Sequence, residues 1–148
     1  VKRGILLDTG PLVAFLNRQD KYHPWALAQW NQIAPPLLTC EAVLSETCFL
    51  LAQTELGSGP VLQLLQRGVL SLPFHLEGQY QAIAPLLKKY RSVPMSLADA
   101  CLVRMSELFP SSQVLTLDRD FILYRRHGRQ VIPALMPATA QSGSSQRG

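Results

Sequence analysis

The sequence contains no apolar run approaching the ~18 residues that a membrane-spanning helix requires; Ser, Glu or Pro interrupts each hydrophobic stretch. No basic segment followed by a long apolar one opens the chain at Val1, so neither a secretory signal nor a membrane anchor is expected. Cysteine is scarce: Cys40, Cys48 and Cys101 are odd in number, show no C-x-x-C spacing and sit in apolar surroundings. They predict core thiols of a reducing, cytoplasmic setting, not a disulfide framework or zinc ligands. His23, His75 and His127 are far apart and match no H-x-x-x-H pattern, which also speaks against structural zinc. Charged residues are 16% and aromatics 7% of the chain, and no segment repeats. The composition is that of neither a disordered nor a fibrous protein.

What is present is 148 residues, 47% of them hydrophobic, which fits one globular domain. A chain of this length buries roughly 70% of its unfolded surface, enough for a core without staples. The net charge of +4, from 14 Lys and Arg against 10 Asp and Glu, permits an anionic partner without requiring one.

Ile5-Leu6-Leu7 followed by Asp8-Thr9-Gly10-Pro11 has the pattern of a strand, a turn and a helix with Pro near its first turn. A second helix is predicted from Asp20, as its cap, to Ile33; Pro35-Pro36 then breaks the chain before a second strand at Leu37-Leu38-Thr39. Helices follow at Glu41 to Gln53 and Ser58 to Gln66, the latter stopped at Gly68, with a third strand at Val69 to Leu72. Leu76 to Tyr90 reads as a helix that Pro85 should kink or split, and Ser96 to Leu108 as another. A fourth strand is predicted at Gln113 to Leu117, a short helix at Arg119 to Arg126 and a fifth strand at Gln130 to Ile132. Short strands without alternation, separated by helices, predict an α/β fold in three layers around a mostly parallel five-stranded sheet. The domain is expected over residues 1–136; the Ser-, Gly-, Gln- and Ala-rich residues 137–148 should be a disordered tail.

Four acids draw attention by their positions. Asp8 and Asp118 each follow a predicted strand, the edge at which open α/β sheets bind ligands; a competing reading is that each merely caps the next helix. Asp99 lies three residues after Ser96, a capping pattern, yet its helix should start on that same sheet edge, and Met95, Leu102 and Val103 around it are apolar. Glu46 has Ala42, Val43, Phe49 and Leu50 three and four residues away, so its carboxylate is expected on an apolar stripe, where it needs a cation or a partner such as Arg104. Glu41 has a simpler place, as a first-turn acid favoured by the helix dipole.

Three or four clustered carboxylates repel one another unless a cation joins them, and oxygen ligands suit Mg²⁺ or Mn²⁺. A site of that kind can hold a phosphodiester and convert bound water into a nucleophile. Without these four acids, the 14 basic residues face six acids, a remainder of +8 suited to a polyanion.

The sequence resembles the PIN-domain ribonucleases of the VapC toxin type. The segment from Ile5 through Asp8-Thr9-Gly10-Pro11 to Leu16 is similar to the family's first acidic motif, and Leu38-Thr39 through Val43-Leu44-Ser45-Glu46 to its second. Met95-Ser96-Leu97-Ala98-Asp99-Ala100 resembles the third, and Val114-Leu115-Thr116-Leu117-Asp118-Arg119-Asp120-Phe121 the fourth. Four motifs in the family's order run from Ile5 to Ile132. The resemblance implies a Mg²⁺ or Mn²⁺ site at the carboxyl edge of the sheet, formed by Asp8, Asp99, Asp118 and Glu46, with Asp120 as a helper or helix-start acid. It implies endonucleolytic cleavage of RNA to 5′-phosphate and 3′-hydroxyl ends, a homodimer and, for a toxin, a cognate antitoxin.

Other features have plainer explanations beside the functional ones. Trp25, Trp30 and Tyr22 could stack on bases, but core or dimer packing accounts for them better. Arg125, Arg126, His127 and Arg129, and Lys88, Lys89 and Arg91, suit either RNA phosphates or helix ends. Thr9 and Thr116 are placed to orient carboxylates or waters. A phosphatase with Asp8 as nucleophile is disfavoured because Gly10 stands where a second Asp would be needed. A non-catalytic RNA- or partner-binding domain is the remaining alternative, and the presence of all four acids argues against it.

Overall fold

The computed structural model describes residues 4–138. In chain order the first half runs β1 (Ile5–Leu7), α1 (Thr9–Leu16), α2 (His23–Trp30), β2 (Leu37–Leu38), α3 (Glu41–Leu51) and α4 (Gly59–Gln66). The second half runs β3 (Leu70–Ser71), α5 (Tyr80–Lys89), α6 (Leu97–Leu108), β4 (Gln113–Leu115), β5 (Arg125–Arg126), β6 (Gln130–Val131) and β7 (Ala134–Leu135). Among the described residues no helix is long and apolar enough to cross a membrane.

The main sheet has the order β3-β2-β1-β4-β7 and every pairing in it is parallel. β1 is central because it is buried throughout, with Leu6 paired to Leu38 on one side and to Val114 on the other. Strand order therefore reverses at β1, with β2 and β3 to one side and β4 and β7 to the other. Side chains alternate across the pleat. Leu6 and Val114 join a core with α5 and α6 residues such as Ile83, Leu102 and Met105, while Ile5, Leu7 and Leu115 join a second core with Leu12, Leu51 and Val61. Two cores on opposite faces make the three layers.

Leu6 is fully buried, so Leu6→Ala should lower the unfolding free energy by about 2–5 kcal/mol through lost transfer and a residual cavity, read from the urea midpoint. A loss under 1 kcal/mol would contradict its central place.

Several elements differ from the sequence expectation. The fifth strand of the main sheet is β7, not Gln130 to Ile132; Gln130 and Val131 instead pair antiparallel with Arg126 and Arg125 in a hairpin. His127 and Gly128, at φ 51° and 79°, reverse the chain between β5 and β6, so the helix expected to reach Arg126 stops as a single 3-10 turn over Arg119–Ile122. The break in the stretch from Leu76 falls at Gln79, between a 3-10 turn and α5, and Pro85 lies inside α5 without ending it. β4 ends at Leu115, leaving Thr116 and Leu117 between the strand and Asp118. Asp20 does not cap α2; its side chain accepts from Tyr22 N ahead of the helix. Of the expected tail, residues 139–148 lie outside the described residues.

Candidate active site

Asp8 leaves the carboxyl end of β1 and caps α1, its Oδ1 accepting from Thr9 N at 2.8 Å. Its backbone N–H donates to Leu115 O, which holds the residue against the end of β4. Oδ2 accepts the Thr116 hydroxyl at 2.6 Å, and the same hydroxyl oxygen accepts Asp118 N at 2.9 Å. Thr116 thus joins the first acid to the fourth. Asp118 is half-buried and caps the following turn by accepting from Asp120 N. Asp120 is half-buried as well.

Asp99 sits in the first turn of α6, in a capping box with Ser96: Asp99 N donates to Ser96 Oγ at 3.0 Å and Ser96 N to Asp99 Oδ2 at 3.2 Å. The same Oδ2 accepts the hydroxyl of the fully buried Tyr124 at 3.1 Å. Glu46 is on α3, and its Oε2 accepts the Thr9 hydroxyl at 3.0 Å. Through Thr9 and Thr116, Glu46 and Asp118 are both tied to the β1–α1 turn.

Glu46 departs from expectation in its surroundings. It is exposed, as are Phe49 and Leu50 beside it, so the C-terminal half of the apolar stripe faces outward while Val43, one turn earlier, is buried. Arg104 does not pair with it, since its guanidinium reaches Glu107 at 3.0 Å and Gln79 at 2.8 Å.

Electrostatically three acids act as a group. Burial pushes the Asp8 carboxyl up to about 6, against the hydrogen bonds from Thr116 and Thr9, and the charges of Asp99 and Asp118 add to the rise. Burial also raises Asp99, with Asp118 contributing. Tyr124 is held protonated, well above an ordinary phenol, by burial and by the Asp99 charge it faces.

Among the described residues no three His, Cys, Asp or Glu side chains already surround a common point closely enough to hold an ion. Asp8 and Asp99 are turned toward their own capping and hydroxyl donors. Each carboxylate offers about four lone-pair sites and these bonds use only some of them. The donors are all oxygen, and the Asp118 charge raises the proton affinity of both Asp8 and Asp99. In charge and donor type the set fits a hard divalent cation, and holding one requires the carboxylates to turn toward a common point.

A model described as the PIN domain matches residues 5–126. The chain belongs to the PIN domain family. The crystal structure of Mycobacterium tuberculosis VapC20, described as a toxin that cleaves the sarcin-ricin loop, is similar in fold to this PIN domain. The TM-score is 0.69 at 20% identity, over 79% of this chain and 92% of that one. No curated protein matches the sequence.

The basic cluster after the last motif is largely occupied within the PIN domain itself. Arg125 donates to the carbonyls of Ile122, Leu123 and Tyr124, and Arg126 to those of Ser106 and Pro110. Lys89 Nζ reaches Gly128 O at 3.2 Å, tying α5 to the hairpin. Trp30 stacks on Phe15 with ring centroids 3.9 Å apart, which bears out packing over base stacking for that residue.

Tyr124 is the site neighbour that sequence reasoning missed. It lies 25 positions from Asp99 and packs edge-on to both Tyr90 and Phe121, and no local spacing signals that contact. Tyr124→Phe should cost about 1.5–3 kcal/mol at neutral pH, the range for a hydrogen bond to a charged group, with an otherwise native circular dichroism spectrum. An unchanged melting curve would show that the Asp99 bond contributes nothing to stability.

Proposed function

We propose that this PIN domain is a divalent-metal-dependent endoribonuclease, with Asp8, Asp99 and Asp118 as the residues that hold Mg²⁺ or Mn²⁺. The observation that carries the reading is the grouping of these carboxylates at the carboxyl edge of the sheet, where strand order reverses: Thr116 ties Asp8 to Asp118, and the Asp118 charge acts on both Asp8 and Asp99. Asp118 is favoured over Asp120 because its charge acts on both Asp8 and Asp99. When bound, the ion supplies Lewis acidity that activates water and offsets charge developing on the phosphodiester. Thr116 holds Asp8 and the Asp118 backbone in register, and Tyr124 and Ser96 fix one oxygen of Asp99. Glu46, exposed and anchored through Thr9, binds a second ion or orients the attacking water in this reading.

RNA as substrate, a role as the toxin of a toxin–antitoxin pair, a homodimeric state and a cytoplasmic setting are part of the same proposal. Family membership and the likeness to VapC20, a toxin that cleaves the sarcin-ricin loop, support the nuclease and toxin parts of it. The test is incubation with single-stranded and structured RNA in Mg²⁺ or Mn²⁺, followed by end analysis. The expected products carry 5′-phosphate and 3′-hydroxyl ends. Activity that survives excess EDTA would overturn the metal requirement, and 2′,3′-cyclic phosphate ends would overturn attack by water.

A further inference from the structure

A cleft of about 500 Å³ opens beside the carboxylate site, between the first turns of α3 and α6 and the segment that follows β3. It meets that site on α3, where Ser45 lines both this cleft and the neighbouring groove that holds Glu46. Ser45, on its α3 wall, precedes Glu46, and Leu97, on its α6 wall, lies two residues before Asp99. Phe74 and Leu76 complete an apolar lining, of which Leu76 and Leu97 remain 39% and 44% exposed. Its polar rim includes Glu41, Glu77 and His75, all exposed. Among the described residues the one ion pair is Arg104–Glu107, so neither rim carboxylate has a cationic partner.

We propose that this cleft is a nucleobase pocket that takes guanine from the nucleotide adjoining the bond to be cut. That the base adjoins the bond to be cut rests on the nuclease reading; the pocket itself rests on the cleft. A negative rim repels phosphate, so the backbone of a strand crossing the carboxylate site does not enter here, whereas a base turned out of the strand does. The exposed Leu76 and Leu97 side chains give the flat face of a base an apolar surface to cover, and the volume exceeds what one base needs. The rim chemistry selects among bases. A carboxylate only accepts hydrogen bonds, and guanine presents two adjacent N–H donors on its Watson–Crick edge, a fork that one carboxylate takes with both oxygens. Adenine and cytosine offer a single amino group there, beside a ring acceptor that faces the carboxylate unfavourably. Uracil offers one N–H between two carbonyls. A well-made bidentate contact discriminates by roughly 10- to 100-fold.

Two arms test the proposal with the full chain. In the first, guanosine, adenosine, cytidine and uridine are titrated into metal-free protein and followed by NMR. Guanosine should bind at least tenfold more tightly than the other three, with shifts at Leu76 and Leu97, and the double variant Glu41→Gln/Glu77→Gln should lose that preference. Both glutamates are exposed, so the variant should stay folded, with Tm lowered by no more than a few degrees through the lost first-turn charges. In the second arm, cleavage sites on a mixed-sequence RNA are mapped. Wild type should cut beside guanine, and the variant should cut with that selectivity reduced by roughly 10- to 100-fold.

Equal binding of all four nucleosides, no binding with cleft resonances unmoved, or identical cleavage sites in the variant would each overturn the pocket. An arginine-rich peptide that shifts the cleft resonances while guanosine does not would overturn it in favour of a protein partner. Absence of RNA cleavage by the wild type refutes the nuclease reading alone, because the nucleoside arm needs no catalysis.

Discussion

Asp8→Asn should make the metal-free protein more stable at neutral pH while abolishing RNA cleavage. Asp8 is 6% exposed and its carboxyl is pushed up to about 6 from 3.8. Between about pH 4 and 6 the folded state therefore holds more protons than the unfolded state, and stability falls as pH rises through that window. Below it the carboxyl is neutral in both states and no penalty applies. Above it the penalty is complete, on the order of 3 kcal/mol for a displacement of this size. Asn carries no charge, and its amide oxygen can still accept from Thr9 N as Oδ1 does. The Thr116 hydroxyl has a second lone pair with which to receive the Asn amide group. Urea midpoints from pH 4 to 7 should fall for the wild type and fall less steeply for the variant, which keeps only the raised carboxyl of Asp99, the two converging at the acid end. A variant less stable than wild type at pH 7 would mean that the bonds from Thr116 and Thr9 outweigh the burial of the charge.

Asp99→Asn should leave the fold intact and erase the stabilisation that Mg²⁺ or Mn²⁺ confers on the wild type. One oxygen of Asp99, Oδ2, accepts both Ser96 N and the Tyr124 hydroxyl. The Asn oxygen can take over both bonds, so the cap of α6 survives, since Asn and Asp cap helices comparably. The other position changes from an acceptor to an N–H₂ donor, which cannot ligate a cation. At one hundred times Kd a ligand specific to the folded state contributes about 2.7 kcal/mol, a rise of about 5–10 °C in Tm for a chain of this size. The wild type should show that rise and the variant should not. An equal rise in both would confine Asp99 to the capping box.

The acids at strand ends were legible because their signals are local. Asp8 closes an apolar triplet and precedes a Gly-Pro helix start, and Ser96 to Asp99 spells a capping box that the structure contains. The parallel sheet was legible for a similar reason, since strands buried on both faces read as unbroken apolar runs. Its last strand was not. β7 is the two residues Ala134–Leu135, too short for any period, while Gln130 to Ile132 looked more apolar and β-branched but pairs in a hairpin turned at His127 and Gly128. Glu46 was placed correctly on its helix but wrongly in its surroundings, because apolar neighbours three and four residues away imply burial only if that stripe faces the core. Here Phe49 is 66% exposed. Tyr124 could not be found from spacing, as its bond to Asp99 exists only once the segment after β4 folds back over α6.

The central claim is that Asp8, Asp99 and Asp118 bind a divalent cation for RNA hydrolysis. It is tested most directly by the rate of RNA cleavage as a function of Mn²⁺ concentration, measured in parallel for the wild type, Asp8→Asn, Asp99→Asn and Asp118→Asn. The account predicts saturable, Mn²⁺-dependent cleavage by the wild type, abolished by EDTA, and at least a hundredfold lower rate in each folded variant, in line with the effect of removing a group that acts on developing charge. Wild-type rates in all three variants, or cleavage indifferent to Mn²⁺, would contradict it.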